Sequence, residues 1–153
     1  MKIIDLLSPC KGEVIRIEDF PDEIIASKAM GDGLGVNLSA NEIVAPFDAV
    51  VSSIYPTGHA ICLLGDNGVS LMIHIGIDSY KIKDMNKIYV KANDHVKKGD
   101  ILIKTNYKKL IRLTGNASTA IVFLNGEKIR ELKFGEMTTA MEKVAEIEVN
   151  KSA

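Results

Sequence analysis

The sequence predicts an all-β protein, an antiparallel sandwich or barrel with a few short helical turns. Three observations predict it. Short runs rich in valine and isoleucine recur at intervals of roughly eight to twelve residues, and Gly, Asp, Asn and Pro cluster between them. No apolar pattern of helical period is long enough to build a helical layer. The chain has 153 residues, 46% hydrophobic and 25% charged. That length suits one domain, residues 1–153, and can bury about 70% of the unfolded surface.

In chain order, strands are expected over 13–17, 42–54, 60–64, 69–77, 88–91, 101–104, 119–124, 129–134 and 144–149, each an apolar run bounded by turn residues. Gly65-Asp66-Asn67-Gly68 and Asn125-Gly126 lie between such runs and read as hairpin turns with positive φ. Weaker helical signals fall at 21–30, 107–113 and 138–143.

Composition narrows the function. The apolar fraction excludes global disorder, and a net charge of -1 makes no electrostatic case for a nucleic-acid partner. Residues 1–8 are too short for a signal-peptide core, and no run approaches the ~20 apolar residues that span a bilayer. No membrane insertion is therefore expected. With no export signal, Cys10 and Cys62 are expected to be reduced and the protein cytoplasmic.

An internal echo separates Ser8-Pro9-Cys10-Lys11-Gly12-Glu13-Val14-Ile15-Arg16-Ile17 from Ala45-Pro46-Phe47-Asp48-Ala49-Val50-Val51-Ser52-Ser53-Ile54 by 37 positions. Both place a small residue before proline, which can start a strand without breaking a ladder. With Val96-Lys97-Lys98-Gly99-Asp100-Ile101-Leu102 this is the pattern of a barrel-sandwich of the duplicated hybrid motif type.

The most informative segment is Gly68-Val69-Ser70-Leu71-Met72-Ile73-His74-Ile75-Gly76-Ile77-Asp78. At period two, Leu71, Ile73, Ile75 and Ile77 face the core while Met72, His74 and Gly76 face the other side. A glycine within a strand often marks close approach by a ligand or another backbone, although an ordinary strand histidine beside a bulge fits the same spacing. His59 enters the preceding strand from Tyr55-Pro56-Thr57-Gly58-His59-Ala60. If Gly65 to Gly68 is the turn, residue numbers summing to 133 pair, and His59 lies directly across from His74. That register puts Ile61 and Leu63 beside Met72 and Ser70, so it requires a bulge to reassign faces.

Two neighbouring imidazoles can work as nucleophile and hydrogen-bond donor, with Thr57 fixing the tautomer of its neighbour. A zinc site is the competing chemistry, but it needs a third protein ligand, and Asp78 is the only obvious candidate. Endopeptidases of the lysostaphin type share the architecture but use a His-x-His pair that this sequence lacks. His95 lies in a polar turn and reads as solvated, and Lys143 matches a biotin or lipoyl attachment lysine only loosely.

The order and spacing of Gly31-Asp32-Gly33-Leu34-Gly35-Val36, Ala45-Pro46, Thr57-Gly58-His59-Ala60, the His74 segment and Val96-Lys97-Lys98-Gly99-Asp100 resemble the glucose-class enzyme IIA domains of the bacterial phosphoenolpyruvate-dependent sugar phosphotransferase system. The resemblance covers nearly the whole chain. It implies a phosphocarrier and phosphotransferase that accepts a phosphoryl group from HPr and passes it to the enzyme IIB domain of a membrane sugar permease, with no metal and no organic cofactor. It implies His74 as the phosphorylated residue through Nε2, His59 as hydrogen-bond donor to the phosphoryl group and Thr57 as its orienting partner. Asp78 and Asp22 match acidic positions beside the site and at its rim, and Gly76 matches the glycine that keeps the site open. The family's apolar recognition ring falls here on Ile25, Met30, Tyr55 and Met72. Family members also serve as regulatory modules on permeases or kinases, which is the alternative function. Departures from the family pattern are Ser79 and Tyr80 after Asp78, Lys83-Asp84-Met85-Asn86-Lys87 in place of a Gly-rich stretch ending in Phe, and Asn106 where aspartate is common.

Overall fold

Alternating apolar runs become strands in the computed structural model, which describes residues 2–149. In chain order these are β1 (Lys2–Leu7), β2 (Gly12–Arg16), β3 (Gly33–Leu38), β4 (Glu42–Val44), β5 (Ala49–Ile54), β6 (Ala60–Gly65), β7 (Ser70–Ile75), β8 (Asn86–Ile88), β9 (His95–Val96), β10 (Ile101–Thr105), β11 (Ser118–Phe123), β12 (Lys128–Arg130), β13 (Met137–Thr138) and β14 (Lys143–Val149). The helices are one turn, α1 (Glu23–Ala26), capped by the Asp22 carboxylate, and α2 (Tyr107–Thr114), capped by Asn106 and ended at Gly115. The all-β prediction holds.

One eight-stranded sheet runs β13-β2-β3-β11-β7-β6-β5-β9, and two three-stranded sheets run β1-β14-β12 and β4-β10-β8. The sequence echo is a duplication of structure. Gly12 pairs with Thr138 as Ala49 pairs with Val96, and Leu7 pairs with Lys143 as Val44 pairs with Ile101. Ser8 exchanges backbone hydrogen bonds with Met141 and Glu142, and Ala45 does the same with Gly99 and Asp100. Met141 and Gly99 both have left-handed backbone, so 138–143 turns into a strand and is not the helix its composition suggests. The eight-stranded order is accordingly palindromic about the β11–β7 pair.

Four further expectations are corrected. The 42–54 run is two strands, broken by the buried Ala45-Pro46-Phe47 corner, whose backbone bonds leave for 99–100. The 129–134 run ends at Arg130, because Glu131 adopts positive φ. The 21–30 helix stops at Ala26, because Lys28 is left-handed. The β6–β7 register is the fourth. Ala60 pairs with His74 and Ile61 with Ile73, so paired numbers add to 134 and not 133. Gly65 still bonds Val69, which leaves Asp66, Asn67 and a left-handed Gly68 (φ 87°) as a three-residue loop closed by a bulge.

With that register no extra bulge is needed. Ile61, Leu63, Leu71, Ile73 and Ile75 point into the main core with Leu34, Ile121 and Phe123, all fully buried. The other face carries a cross-strand row of Ile15, Gly35, Ala120, His74 and Ala60. Small residues around His74 leave room for the 17–27 segment, whose Ile17, Phe20 and Ile25 pack on Ala60, Met72, Ala120 and Val122 as a second, smaller core.

Gly68→Ala forces a Cβ into left-handed backbone with no contact to gain. It should cost about 1 kcal/mol. Urea denaturation should show a lower midpoint at unchanged slope, and a loss below about 0.3 kcal/mol would contradict this role for the turn.

Candidate functional site

His74 is the next-to-last residue of β7, and the chain turns sharply after Ile75. Gly76 makes the turn at φ 68°, where an added Cβ would lie 2.9 Å from Leu110 Cδ2. The strand thus ends two residues sooner than expected, and the missing side chain of Gly76 clears Leu110, not the imidazole. Gly76 contributes through its backbone. His74 Nδ1 lies 3.0 Å from the Gly76 carbonyl oxygen. A carbonyl can only accept, so Nδ1 carries the proton and donates it. In the neutral ring the lone pair is therefore on Nε2.

His59 precedes β6 at the end of the Tyr55-Pro56-Thr57-Gly58 turn and is 9% exposed. It does not pair with His74 across the hairpin, since Ala60 holds that place. Its carbonyl accepts from Ile75 N at 2.7 Å, and its ring meets that of His74 edge-on, centroids 5.4 Å apart at 78°. Thr57 Oγ1 and His59 Nδ1 share a hydrogen bond. If the hydroxyl donates, His59 keeps a proton on Nε2, the atom then free to donate to an anion. Tyr55 and Tyr80 flank the same ring at 4.9 and 5.6 Å.

Electrostatics favour neutral rings. Burial pulls His74 below the ordinary histidine value, while the Gly76 carbonyl and the carboxylates of Asp22 and Asp78 pull the other way. Burial lowers His59 as well, and the neighbouring His74 adds to it. Asp22 is held by its capping bonds to Ile24 N and Ile25 N at 2.9 and 3.2 Å. Asp78 is in left-handed conformation at the start of the 79–81 turn, where the buried Ser79 hydroxyl donates to the Ile75 carbonyl. The arrangement can present a nucleophilic imidazole nitrogen beside a hydrogen-bond donor, with carboxylates one step away. Among the described residues, no group of three or more His, Cys, Asp or Glu is placed to hold a metal ion.

Of the apolar ring, Tyr55 and Met30 are exposed, while Ile25 and Met72 are buried in the second core. The exposed isoleucine of α1 is Ile24, at 63%. His95 is exposed on β9, and Lys143 pairs with Asp5 and Glu146 at the start of β14, far from a hairpin-tip carrier lysine. Cys10 is fully buried and its thiol is pushed up to about 12, so it is inert. Two contributors were not predicted. Tyr80 rests against His59, and Asn86 Nδ2 donates to the Thr57 carbonyl at 3.0 Å, tying β8 to the turn that carries His59. Asn86 reaches across 29 positions, and no local pattern announces such a contact.

Fold and site together define an antiparallel β-sandwich with a half-buried imidazole at the end of one strand, its tautomer fixed by a backbone carbonyl. Residues 4–129 match the family described as phosphoenolpyruvate-dependent sugar phosphotransferase system, EIIA 1. The glucose-specific EIICBA component of Staphylococcus carnosus is 38% identical over 85% of this chain, which spans 20% of that longer protein. The glucose-specific EIIA component of Staphylococcus epidermidis is 32% identical over 86% of this chain and 80% of its own length. A solved structure, glucose permease IIA from Mycoplasma capricolum, superposes with a TM-score of 0.87 at 26% identity, covering 95% of this chain and 96% of that one. The chain belongs to the EIIA 1 family of the sugar phosphotransferase system. It is a phosphocarrier of that system, acting among the system's other phosphotransfer proteins. Among the described residues no helix is long and apolar enough to cross a membrane.

Because both imidazoles have folded-state values below the unfolded 6.5, the unfolded chain binds more protons as the pH falls through that value. Stability is then full above about pH 7 and declines below 6.5. Urea midpoints measured from pH 7.5 to 5.5 should fall more steeply for wild type than for His59→Gln/His74→Gln. Parallel profiles would contradict the lowered values.

Proposed function

We propose that His74 is the residue that carries the phosphoryl group, on Nε2, within one carrier domain of residues 1–153 working in the cytoplasm. The donor is HPr, and the acceptor is the enzyme IIB domain of a membrane sugar permease. The observation that carries this reading is the Nδ1–H to Gly76 carbonyl bond, which leaves the Nε2 lone pair available in a neutral ring.

In the forward step the Nε2 lone pair attacks phosphorus in line. An N–P bond forms as the donor's bond to phosphorus breaks, and the donor keeps that electron pair. The phosphoryl group brings negative charge to the surface above His74. His59 meets it with Nε2–H, provided Thr57 donates its hydroxyl to Nδ1, and this is how the Thr57–His59 bond supports the assignment. In the second step a IIB cysteine thiolate attacks the same phosphorus, the N–P bond breaks and Nε2 recovers its lone pair. Positioning and electrostatic stabilisation carry both transfers, so neither step calls for a metal or an organic cofactor. Asp78 and Asp22 oppose a second anion and favour departure of the group. Tyr55, Met30 and Ile24 are apolar anchors for a partner that docks transiently, while Ile25 and Met72 lie buried in the second core.

The test is incubation with phosphoenolpyruvate, enzyme I and HPr. Wild type should acquire an acid-labile, alkali-stable phosphate and His74→Gln none. His59→Gln should still be labelled but pass the group to IIB about 100-fold more slowly, the loss typical of one missing anion donor. An unlabelled wild type would sink the proposal.

A further inference from the structure

β8 is only three residues long and lies at the edge of the β4-β10-β8 sheet, yet it is firmly held. Its ladder partner β10 sends Leu102 and Ile103 into the main core, and Ile103 pairs directly with Ile88. Just before β8, the carbonyl of the buried Met85 accepts from Asn106 N at 2.9 Å. Asn86 and Ile88 are two residues apart, so their side chains share one face of the strand. That face meets the 55–59 turn at two points. Asn86 Nδ2 donates to the Thr57 carbonyl at 3.0 Å. Next to it Gly58 is left-handed at φ 73°, and a Cβ added there would lie 2.9 Å from Ile88 Cγ1 and 3.1 Å from Asn86 Cβ. The turn backbone is therefore seated on β8 between Thr57 and His59.

For stability alone, asparagine is a poor choice at this position. Its Oδ1 is buried and has no hydrogen-bond partner among the described residues. Thr105, directly across the ladder, is also buried and its hydroxyl is likewise unpartnered, so the neighbouring strand does not satisfy the amide. A buried acceptor without a donor costs the desolvation of that atom, and an apolar side chain would remove the cost. The orientation of the amide is fixed, because a carbonyl can only accept and the NH2 end must face Thr57. What Asn86 supplies is thus one N–H aimed at the backbone of the residue whose hydroxyl bonds His59 Nδ1.

We propose that Asn86 is a positioning residue for phosphoryl transfer: by holding the Thr57 carbonyl it keeps Thr57 Oγ1 against His59 Nδ1, and so keeps His59 Nε2–H directed at the phosphoryl group. The inference rests on the proposed transfer through His74. Which nitrogen of an imidazole carries the proton is set by the hydrogen bond that the other nitrogen makes. A turn free to shift on β8 loosens the bond at Nδ1, and the ring then exchanges tautomers and presents a lone pair to an anion for part of the time. Asn86 acts through Thr57 and His59, so its contribution belongs to the step that His59 serves, passage of the group onward, and not to its uptake by His74.

Two replacements in the full chain separate the N–H from the shape of the side chain. Asn86→Ala removes both, whereas Asn86→Asp keeps the shape and exchanges the donor for an acceptor. Both variants should take up phosphate from HPr as wild type does and pass it to the IIB domain about tenfold more slowly, part of the ~100-fold that a misplaced group can cost. In a His59→Gln background the same changes should add no further loss, because residues acting through one group are not additive. Long-range 1H–15N spectra of the unphosphorylated chain should show the His59 proton on Nε2 in wild type, and the two ring-nitrogen signals drawn together in both variants. Ile103→Val weakens the β8–β10 pair from the core, so it should lower the urea midpoint and leave transfer rates and His59 signals as they are. Wild-type transfer by Asn86→Asp would overturn the proposal. So would slowed transfer with unchanged His59 signals, or a tenfold loss that persists in the His59→Gln background. Failure of wild type to take up phosphate would strike the transfer reading itself, while the His59 signals would still decide whether Asn86 sets the ring.

Discussion

The register of the β6–β7 hairpin is the constraint on which the rest depends. Side chains alternate at period two, so a slip of one residue exchanges the two faces of a strand. Gly68 permits a three-residue loop, the loop makes Ala60 the partner of His74, and that pairing directs Ile61, Leu63, Leu71 and Ile73 inward. His74 then has no place except the opposite face. The two-residue turn that places His59 across from His74 looks more economical for function, but it drives Ile61 and Leu63 out of the core. Burying an aliphatic side chain is worth about 1.5–3 kcal/mol, so the core settles the register and the histidines meet by another route. That route is the turn before β6, which folds the His59 ring back over the end of β7.

From the same geometry follows the chemistry of the imidazoles. Because β7 stops at Ile75 and Gly76 turns left-handed, a backbone carbonyl faces back toward Nδ1 of the preceding histidine. The carbonyl selects the tautomer, and partial burial keeps the ring neutral against the pull of Asp22 and Asp78. A more exposed ring would be protonated more often near pH 6, and a ring deeper in the core could not meet a partner. The second core of Ile17, Phe20 and Ile25 sets this intermediate depth, because it covers Met72 and Val122 and leaves His74 half-buried at its margin.

Much of this was legible in the sequence, and the failures have physical causes. The apolar runs around His74 and around Thr119 are unambiguous because both are buried strands between strong turns. β3 escaped notice because Gly33 and Gly35 read as loop, although in the sheet they are where Ile121 and Phe20 press close. β1 escaped because Lys2–Leu7 has an exposed outer edge and resembles a mere lead-in. The 138–143 segment has helix-forming residues, and only its partner Ser8, far away in sequence, holds Met141 left-handed. The nearness of Thr57 to His59 and of His59 to His74 is readable because short-range spacing and one hairpin carry it. Ile25 comes from the family resemblance alone, and the single turn of α1 buries it while exposing its neighbour Ile24. Tyr80 and Asn86 were visible as departures from the family pattern, but their contacts with the His59 turn depend on long-range packing.

The duplication sets His74 against an equivalent position in the other half that is closed. The palindromic sheet matches β7 with β11 about an axis beside the Ile73–Ile121 pair, so Ser70 corresponds to Ser118, Met72 to Ala120 and His74 to Val122. Val122 is fully buried, under the long β2–β3 connection that bears Phe20 and Ile25. The corresponding β5–β6 connection is short, spanning only 55–59, and it cannot form a second lid. It delivers Thr57 and His59 to the edge of the sheet instead. One half of the repeat thus spends its connection on burial and the other leaves its equivalent position open, with Asp22 from the first lid reaching the margin of the second. Symmetric halves with equal connections would bury both positions or expose both. The asymmetry of two loops therefore leaves His74 half-open where its counterpart Val122 is sealed.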